Sequence, residues 1–231
     1  LARPMTTDPL TRLRIRTASR LVLPVLTVAH EHLALLVYIV IRESLQNGRT
    51  GYTGIAYVAW ALLSAIERGA GKHLAALSNS ASLLAEKGGD PVARHSIDTY
   101  ARIFTLTWID GYDKGMGELQ TLYEEGNRLG NYQFASHCKH LHTQALLYHG
   151  APLTEVYKDF REAREEMIQY NHHRTAKAVA KYQQGVESLL GRTADPLVLS
   201  GSVIEEQSYY REIQSKDDHL SLSGFHMVKG F

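Results

Sequence analysis

The 231-residue sequence contains a single cysteine, Cys138, and almost no excess of charge. One cysteine excludes an internal disulfide and is typical of a reducing compartment, so we expect a cytoplasmic protein. Twenty-five basic residues against 24 acidic ones give a formal net charge of +1. Because this balance provides no field that attracts a polyanion, we expect no nucleic acid and no membrane among the partners.

Long hydrophobic runs are also missing. The longest apolar segment considered as a membrane span, Leu33–Ile41, has nine residues, whereas a helix needs about 20 to cross a bilayer. Pro24 and Glu31 interrupt the apolar residues before it. We therefore interpret this segment as part of a core helix.

Helical spacing dominates the sequence, and strand-like alternation is absent. Apolar residues recur every three or four positions along nearly the whole chain, which predicts an all-α fold. Asp8-Pro9 is a typical helix start, Pro24 should end or kink the first helix, and Asn47-Gly48 should end the second. Residues 191–202, with two glycines and a proline, predict a longer connection between helices.

A period of 41 residues appears in the middle of the chain. Gly89-Asp90 and Gly130-Asn131 are 41 positions apart, and a further 41 positions lead to His172 in a polar turn. A pair of helices in each period cannot bury its apolar face alone, so neighbouring pairs must stack. We predict one helical-repeat domain over residues 1–231: an α-α superhelix, tetratricopeptide-like, of about five helix hairpins. A plain helical bundle is the alternative.

Known catalytic motifs are incomplete in this sequence. Gly69-Ala70-Gly71-Lys72 lacks the first glycine and the Ser/Thr of a phosphate-binding loop and follows no strand. No Gly-x-Ser-x-Gly elbow and no His-Glu-x-x-His pair occurs. Cys138 falls on the apolar side of its helix, where a free cysteine behaves as a small hydrophobe. We therefore predict no catalytic residue and no cofactor.

The 12 histidines raise the question of a metal site. His137 and His140 share a helical face, but a catalytic zinc site usually has three protein ligands and a structural one four. A third ligand, such as His95, would have to come from a neighbouring helix. A histidine-based metal site with enzymatic activity is therefore an alternative, and we favour histidines that line a groove or pack inside.

Tyrosine is used 13 times against five phenylalanines. In stacked helix pairs, tyrosine and histidine on the first helix of each pair can face a groove with the apolar part packed and the polar tip available. We therefore predict a groove that binds a protein or peptide. The candidate groove residues, which lie off the apolar stripes of their helices, are His95, Arg102, His137, His140 and Gln144.

Four arginines in the first helix form a basic stretch: Arg12, Arg14, Arg16 and Arg20. Such a stretch can contact an acidic partner or a preceding domain, and a solvated helix face is the favoured interpretation. The chain begins at Leu1 and ends inside an apolar pattern. We therefore expect it to be a fragment of a larger multidomain protein.

Three stretches resemble one known family: Gly54–Leu62, Gly130–Cys138 and the run from Glu205 to Phe231. They are similar to the helical-repeat region of large hybrid signalling proteins. In that family a serine/threonine-kinase-like domain and an AAA-type ATPase module precede the repeats, and a GAF domain and often a sensor histidine kinase follow them. The resemblance implies that ATP binding and phosphotransfer belong to other parts of the parent protein, and no catalytic residue carries over.

From this resemblance we expect a non-enzymatic interaction and regulatory module of a multidomain signal-transduction kinase. It would bind a partner segment or relay signals between neighbouring domains of the parent chain. The alternative is the repeat domain of an ATP-dependent transcription regulator, whose C-terminal neighbour binds DNA.

Overall fold

The computed structural model describes residues 4–69, 71–216 and 218–230. Within these ranges the chain forms helices joined by turns and contains no strand; its one extended pairing is an isolated bridge between Met5 and Arg49. Consecutive helices pack on one another, so the predicted all-α fold is confirmed. Over the same ranges, no helix combines the length and the apolar character that a bilayer crossing requires.

The chain divides into two compact units, Leu1–Phe134 and Ala135–Phe231. The division falls inside the helix Tyr132–Tyr148, and the single helical-repeat domain over residues 1–231 stays a prediction.

The first unit consists of helices joined mostly by short turns. These are α1 (Pro9–Arg20), α2 (Val22–Val28), α3 (Leu33–Asn47), α4 (Thr53–Arg68), α5 (Lys72–Gly88), α6 (Pro91–Ala101), α7 (Thr107–Asp110), α8 (Tyr112–Arg128) and the first residues of α9 (Tyr132–Tyr148). A 3₁₀ turn, His30–His32, precedes α3, and a π turn, Arg102–Leu106, joins α6 to α7.

Helix starts in this unit follow the sequence signals. The Asp8 carboxylate accepts hydrogen bonds from the first backbone amides of α1, and Asp90 does the same for α6, each with a proline in the first turn. The first helix ends at Arg20, and Pro24 lies in the first turn of α2, where a missing N–H costs no hydrogen bond. The predicted break near Pro24 is therefore confirmed.

The core of the first unit forms around α4, which packs against α3, α5 and α6. Val40 from α3, Val58 from α4 and Ile97 from α6 are almost fully buried in it. Helices α4 and α5 approach closely at Gly54, where an added Cβ would lie 2.6 Å from the carbonyl oxygen of Ala81. Only glycine fits this contact.

The second unit is arranged around one central helix. Its elements are the remainder of α9, α10 (Leu153–Gln169), α11 (His173–Leu189), α12 (Glu206–Ser215) and α13 (His219–Lys229). Nearly every residue of α11 from Val179 to Ser188 is buried. The apolar face of α10 packs against it, with Val156, Phe160 and Met167 buried in the same core, and Tyr170 just after this helix is exposed.

Polar side chains of α11 hold the irregular connection that the sequence predicted after residue 190. The Gln184 side-chain oxygen accepts hydrogen bonds from the backbone amides of Val203 and Ile204 at 3.1 and 3.3 Å. The Glu187 carboxylate accepts from the amide and hydroxyl of Ser202. These bonds explain why a helix buried on most sides retains glutamine and glutamate, because a connection without secondary structure needs partners for its backbone.

The 41-residue period corresponds to a repeated turn. Gly89, Gly130 and Asn171 all have positive φ, at 69°, 69° and 60°. Gly48, which ends α3 as predicted, also has positive φ, but its ψ of 159° lies outside the left-handed helical region. Positive φ favours glycine, and asparagine is the side chain that tolerates it best.

The side chain of the residue that follows Gly89, Gly130 or Asn171 forms a hydrogen bond near the beginning of the preceding helix pair. Its amide also closes the turn in two cases, from Asn131 to the Gly126 oxygen and from His172 to the Met167 oxygen. We call these side-chain contacts the turn junctions. They are Asp90 with the Tyr52 hydroxyl (2.6 Å), Asn131 with His95 Nδ1 (2.8 Å) and His172 with the Ser136 hydroxyl (2.8 Å).

Two glycines near α8 allow the effect of positive φ on stability to be separated from the effect of steric crowding. An added Cβ meets nothing within 4 Å at either Gly130 or Gly117, but only Gly130 has positive φ. We expect Gly130→Ala to lower the free energy of unfolding by about 1 kcal/mol, and Gly117→Ala, inside the helix, to raise it by roughly 0.5–1 kcal/mol. Urea unfolding measures the free energy of unfolding of both variants. Equal changes of the same sign would contradict a requirement for positive φ at Gly130.

Candidate functional site

The five candidate groove residues fall into two groups. His95 and Arg102 belong to the first unit, at α6 and the π turn. His137, His140 and Gln144 belong to α9 in the second unit.

His95 is buried, with 1% of its surface exposed. Its Nε2 lies 2.7 Å from the carbonyl oxygen of Leu122, which can only accept, so Nε2 carries the proton. Its Nδ1 accepts from the Asn131 side-chain amide, which also donates to the Ser96 hydroxyl. Both ring nitrogens are thus engaged inside the first unit, and His95 belongs to a turn junction.

Arg102 is buried as well, and its guanidinium pairs with the Glu118 carboxylate of α8. A π turn begins at Arg102, and the Thr107 hydroxyl donates a hydrogen bond to the carbonyl oxygen of Arg102. A buried charge that keeps its partner is a structural element of the interior, and losing the partner is costly. A binding role for His95 and Arg102 stays a prediction, and their present contacts are internal.

The second group shares one face of α9. His137, His140 and Gln144 lie at positions i, i+3 and i+7, and all three are half-buried. The Gln144 amide donates to the hydroxyl of Tyr182 on α11 at 2.7 Å and to that of Tyr148 at 2.9 Å. The rings of His140 and Tyr182 lie 5.4 Å apart. We call these five residues the α9–α11 surface.

Lys181 adjoins this surface, and the sequence analysis missed it. It is buried, its Nζ lies 5.4 Å from the centre of the Tyr182 ring, and the same nitrogen donates to the Ser221 carbonyl oxygen at 3.4 Å. Burial lowers the pKa of Lys181 to about 8. Because α11 is buried on most sides, its sequence has no clear polar face from which this lysine could have been identified.

Burial keeps the two histidines of the surface uncharged at neutral pH. Desolvation lowers the pKa of His137 to about 4 and, with Lys181 nearby, that of His140 to about 3. The Nδ1 atom of His140 is buried without a hydrogen-bond partner in the described structure, so nothing favours its charged form. Side chains with such pKa values are weak general bases at neutral pH and can serve as neutral hydrogen-bonding groups.

The metal alternative finds no ligand set in the part of the chain that the structure describes. No group of three His, Cys, Asp or Glu side chains there is placed to hold an ion. Cys138 is fully buried, which confirms that it lies on the apolar side of α9.

Comparison of the chain with protein-family models, with curated proteins and with solved structures gives no match.

Replacement of Asn131 tests the junction at His95. Asn131→Ala leaves the buried His95 Nδ1 without its donor, so we expect the free energy of unfolding to fall by about 1–3 kcal/mol. Gln133→Ala, an exposed position in the same first turn of α9, serves as the matched control and should change it by less than about 0.5 kcal/mol. Urea unfolding of both variants makes the measurement; equal stabilities would show that the Asn131 contact is unimportant.

The lowered pKa values of His137 and His140 predict a loss of stability in mild acid. Their folded pKa values lie below the unfolded value of 6.5, so the unfolded chain binds more protons as the pH falls below 6.5. The contribution of these neutral histidines to the free energy of unfolding is therefore fully present above pH 6.5. It is lost as the pH falls toward their folded-state pKa values, by roughly 2 kcal/mol per histidine at pH 5.

Urea unfolding at pH 7 and pH 5 measures this loss. The double variant His137→Gln, His140→Phe should show a much smaller difference between the two pH values than the natural chain. His149→Gln, at an exposed position, should keep the full difference. An unchanged difference in the double variant would show that other groups cause the acid sensitivity.

Proposed function

We propose that the chain is a non-enzymatic helical-repeat module of a multidomain signal-transduction protein with kinase or ATPase activity. It binds a partner segment, or a neighbouring domain of the parent chain, and thereby regulates the ATP-dependent modules. The cytoplasm is the proposed location, in keeping with the single buried cysteine.

The observation that carries this proposal is the α9–α11 surface. It joins side chains from the first helices of two consecutive pairs, through the Gln144–Tyr182 hydrogen bond of 2.7 Å. Helical repeats bind extended partners on surfaces formed by corresponding helices of successive repeats. A surface continued from one pair to the next is therefore suited to a chain segment.

The chemistry of the same surface favours binding over proton transfer. His137 and His140 are neutral, Gln144 has donor and acceptor atoms, and Tyr148 has 41% of its surface exposed. Neutral donors and acceptors beside aromatic rings suit the backbone and polar side chains of a peptide. The resemblance of three sequence stretches to the repeat region of hybrid signalling proteins supplies the proposed context.

The experiment uses the full-length parent protein. We expect the reading frame of this parent protein to encode a kinase-like or ATPase module before the present chain and a GAF-type domain after the present chain. Within that protein, Gln144→Ala should change ATP turnover or autophosphorylation by about threefold or more, because it removes a contact that holds two helix pairs together at the binding surface. His149→Ala is the matched control on the same helix end, and circular dichroism checks that both variants fold.

Three results would contradict the proposal. A frame without any ATP-dependent module would remove the signalling role, and a helix-turn-helix domain after the chain would favour a transcription regulator instead. Equal ATP turnover of the Gln144 and His149 variants would remove the regulatory role of the α9–α11 surface.

A further inference from the structure

Six large apolar side chains are exposed on one pair of helices in the first unit. Each has between 46% and 60% of its surface accessible. We call them the α1–α3 patch: Leu10, Leu13, Leu35, Tyr38, Ile39 and Leu45. Exposed apolar side chains that cluster on one pair of helices indicate an interaction site, whereas single ones scattered over a surface do not.

The two helices pack against each other and run antiparallel. The Thr6 amide donates to the Arg49 oxygen where α1 begins and α3 ends, at 2.8 Å. In the middle, Arg14 of α1 contacts Glu43 of α3 at 3.5 Å. Leu10 and Leu13 therefore lie along the C-terminal half of α3, and the α3 part of the patch extends for about 15 Å, which is nearly three helical turns.

The patch is distinct from the core face of α3. Leu33, Val37 and Val40 lie on the opposite side of that helix and are almost fully buried. A helix that is apolar on both sides is stable in water when both sides are covered. The inner side of α3 is covered by the core, so the outer side is suited to a partner.

The charges around the patch select the kind of partner. Helix α1 contains four arginines and no acidic residue, and all four are exposed or half-exposed. Arg42 lies within the α3 stripe and is exposed. The one acidic residue in the two helices, Glu43, has 19% of its side chain exposed and pairs with Arg14. Asp8 caps the start of α1 and Glu31 precedes α3, so the surface is apolar with more exposed basic than acidic groups around it.

We propose that the α1–α3 patch binds an acidic amphipathic helix of a protein partner. The apolar side of that helix covers the patch along the line between α1 and α3, and its acidic residues face the arginines. A second copy of this chain is a poorer occupant, because it would bring one set of arginines against another. This inference rests on the proposed function as an interaction module and adds its partner class and surface.

The probe is a displayed library of helical peptides about five turns long, which matches the patch with one turn to spare at each end. Leucine is fixed at i, i+3, i+7 and i+10, and the remaining positions vary among acidic, basic and small polar residues. Selection on the whole purified chain should enrich Asp and Glu over Lys and Arg by several-fold. Binding of the best peptide, followed by fluorescence anisotropy, should weaken at high salt.

Variants of the chain locate the bound peptide. Leu35→Ala with Tyr38→Ala should raise Kd by about 10-fold or more, since truncation of a central aromatic contact costs this much at typical interfaces. Arg42→Glu should raise it by a similar factor. Ile66→Ala, at a position of α4 with 74% of its surface exposed, is the matched control outside the patch and should leave Kd within about twofold.

Any different outcome would contradict the binding of an acidic helix to the patch. Selected peptides that are neutral or basic, or a Kd that the patch variants do not change, would remove the acidic helix as the occupant. A dimer by light scattering that the Leu35/Tyr38 variant dissociates would show a second copy there. Sedimentation with phosphatidylserine vesicles that the same variant abolishes would show a lipid surface.

The proposed function and the inference about the α1–α3 patch can be contradicted independently of each other. If Gln144→Ala leaves the parent's ATP turnover unchanged while acidic peptides bind the patch, the α9–α11 surface loses its role and the patch keeps its own. If the Gln144 effect is present and the selected peptides bind elsewhere, the inference about the patch alone is wrong.

Discussion

The fold depends on a turn that needs positive φ and on the polar side chain that follows it. Gly89, Gly130 and Asn171 reverse the chain at 41-residue intervals. Each next side chain bonds to the beginning of the preceding helix pair, through Tyr52, His95 or Ser136. Apolar burial supplies most of the stabilisation of such a pair, but burial is non-directional. The hydrogen bond adds direction, because its partner atom must lie at one place on the neighbouring helix.

This arrangement divides the polar residues of the first helices into two kinds. Those at a turn junction, such as His95, have both ring nitrogens engaged inside the unit. Those further along the helix, such as His140 and Gln144, meet side chains of α11 and stay half-buried. The same helix pattern therefore yields a structural histidine at one position and a surface of neutral polar groups at another. On α1 and α3, by contrast, the outward side chains are apolar with arginines beside them, which suits a different partner.

Much of the fold was predictable because its signals are local. Asp8-Pro9 caps a helix, Pro24 stops one, and the spacing of the turn glycines fixes the period. The side-chain environment was less predictable, since a polar residue off an apolar stripe faces either water or a neighbouring helix, and sequence spacing does not distinguish the two. Arg102 shows this: its partner Glu118 is 16 positions away and lies on another helix. Lys181 was missed because α11 is covered on nearly all sides.

Polar side chains after the turns connect one helix pair to the next. NMR of the His95 imidazole can detect this connection, because each ring nitrogen has a defined role in the contact. We expect an observable proton on Nε2, protected from exchange by the hydrogen bond to the Leu122 carbonyl oxygen at 2.7 Å, and an unprotonated Nδ1 that accepts from Asn131. A proton on Nδ1, or an Nε2 proton that exchanges freely with water, would contradict it.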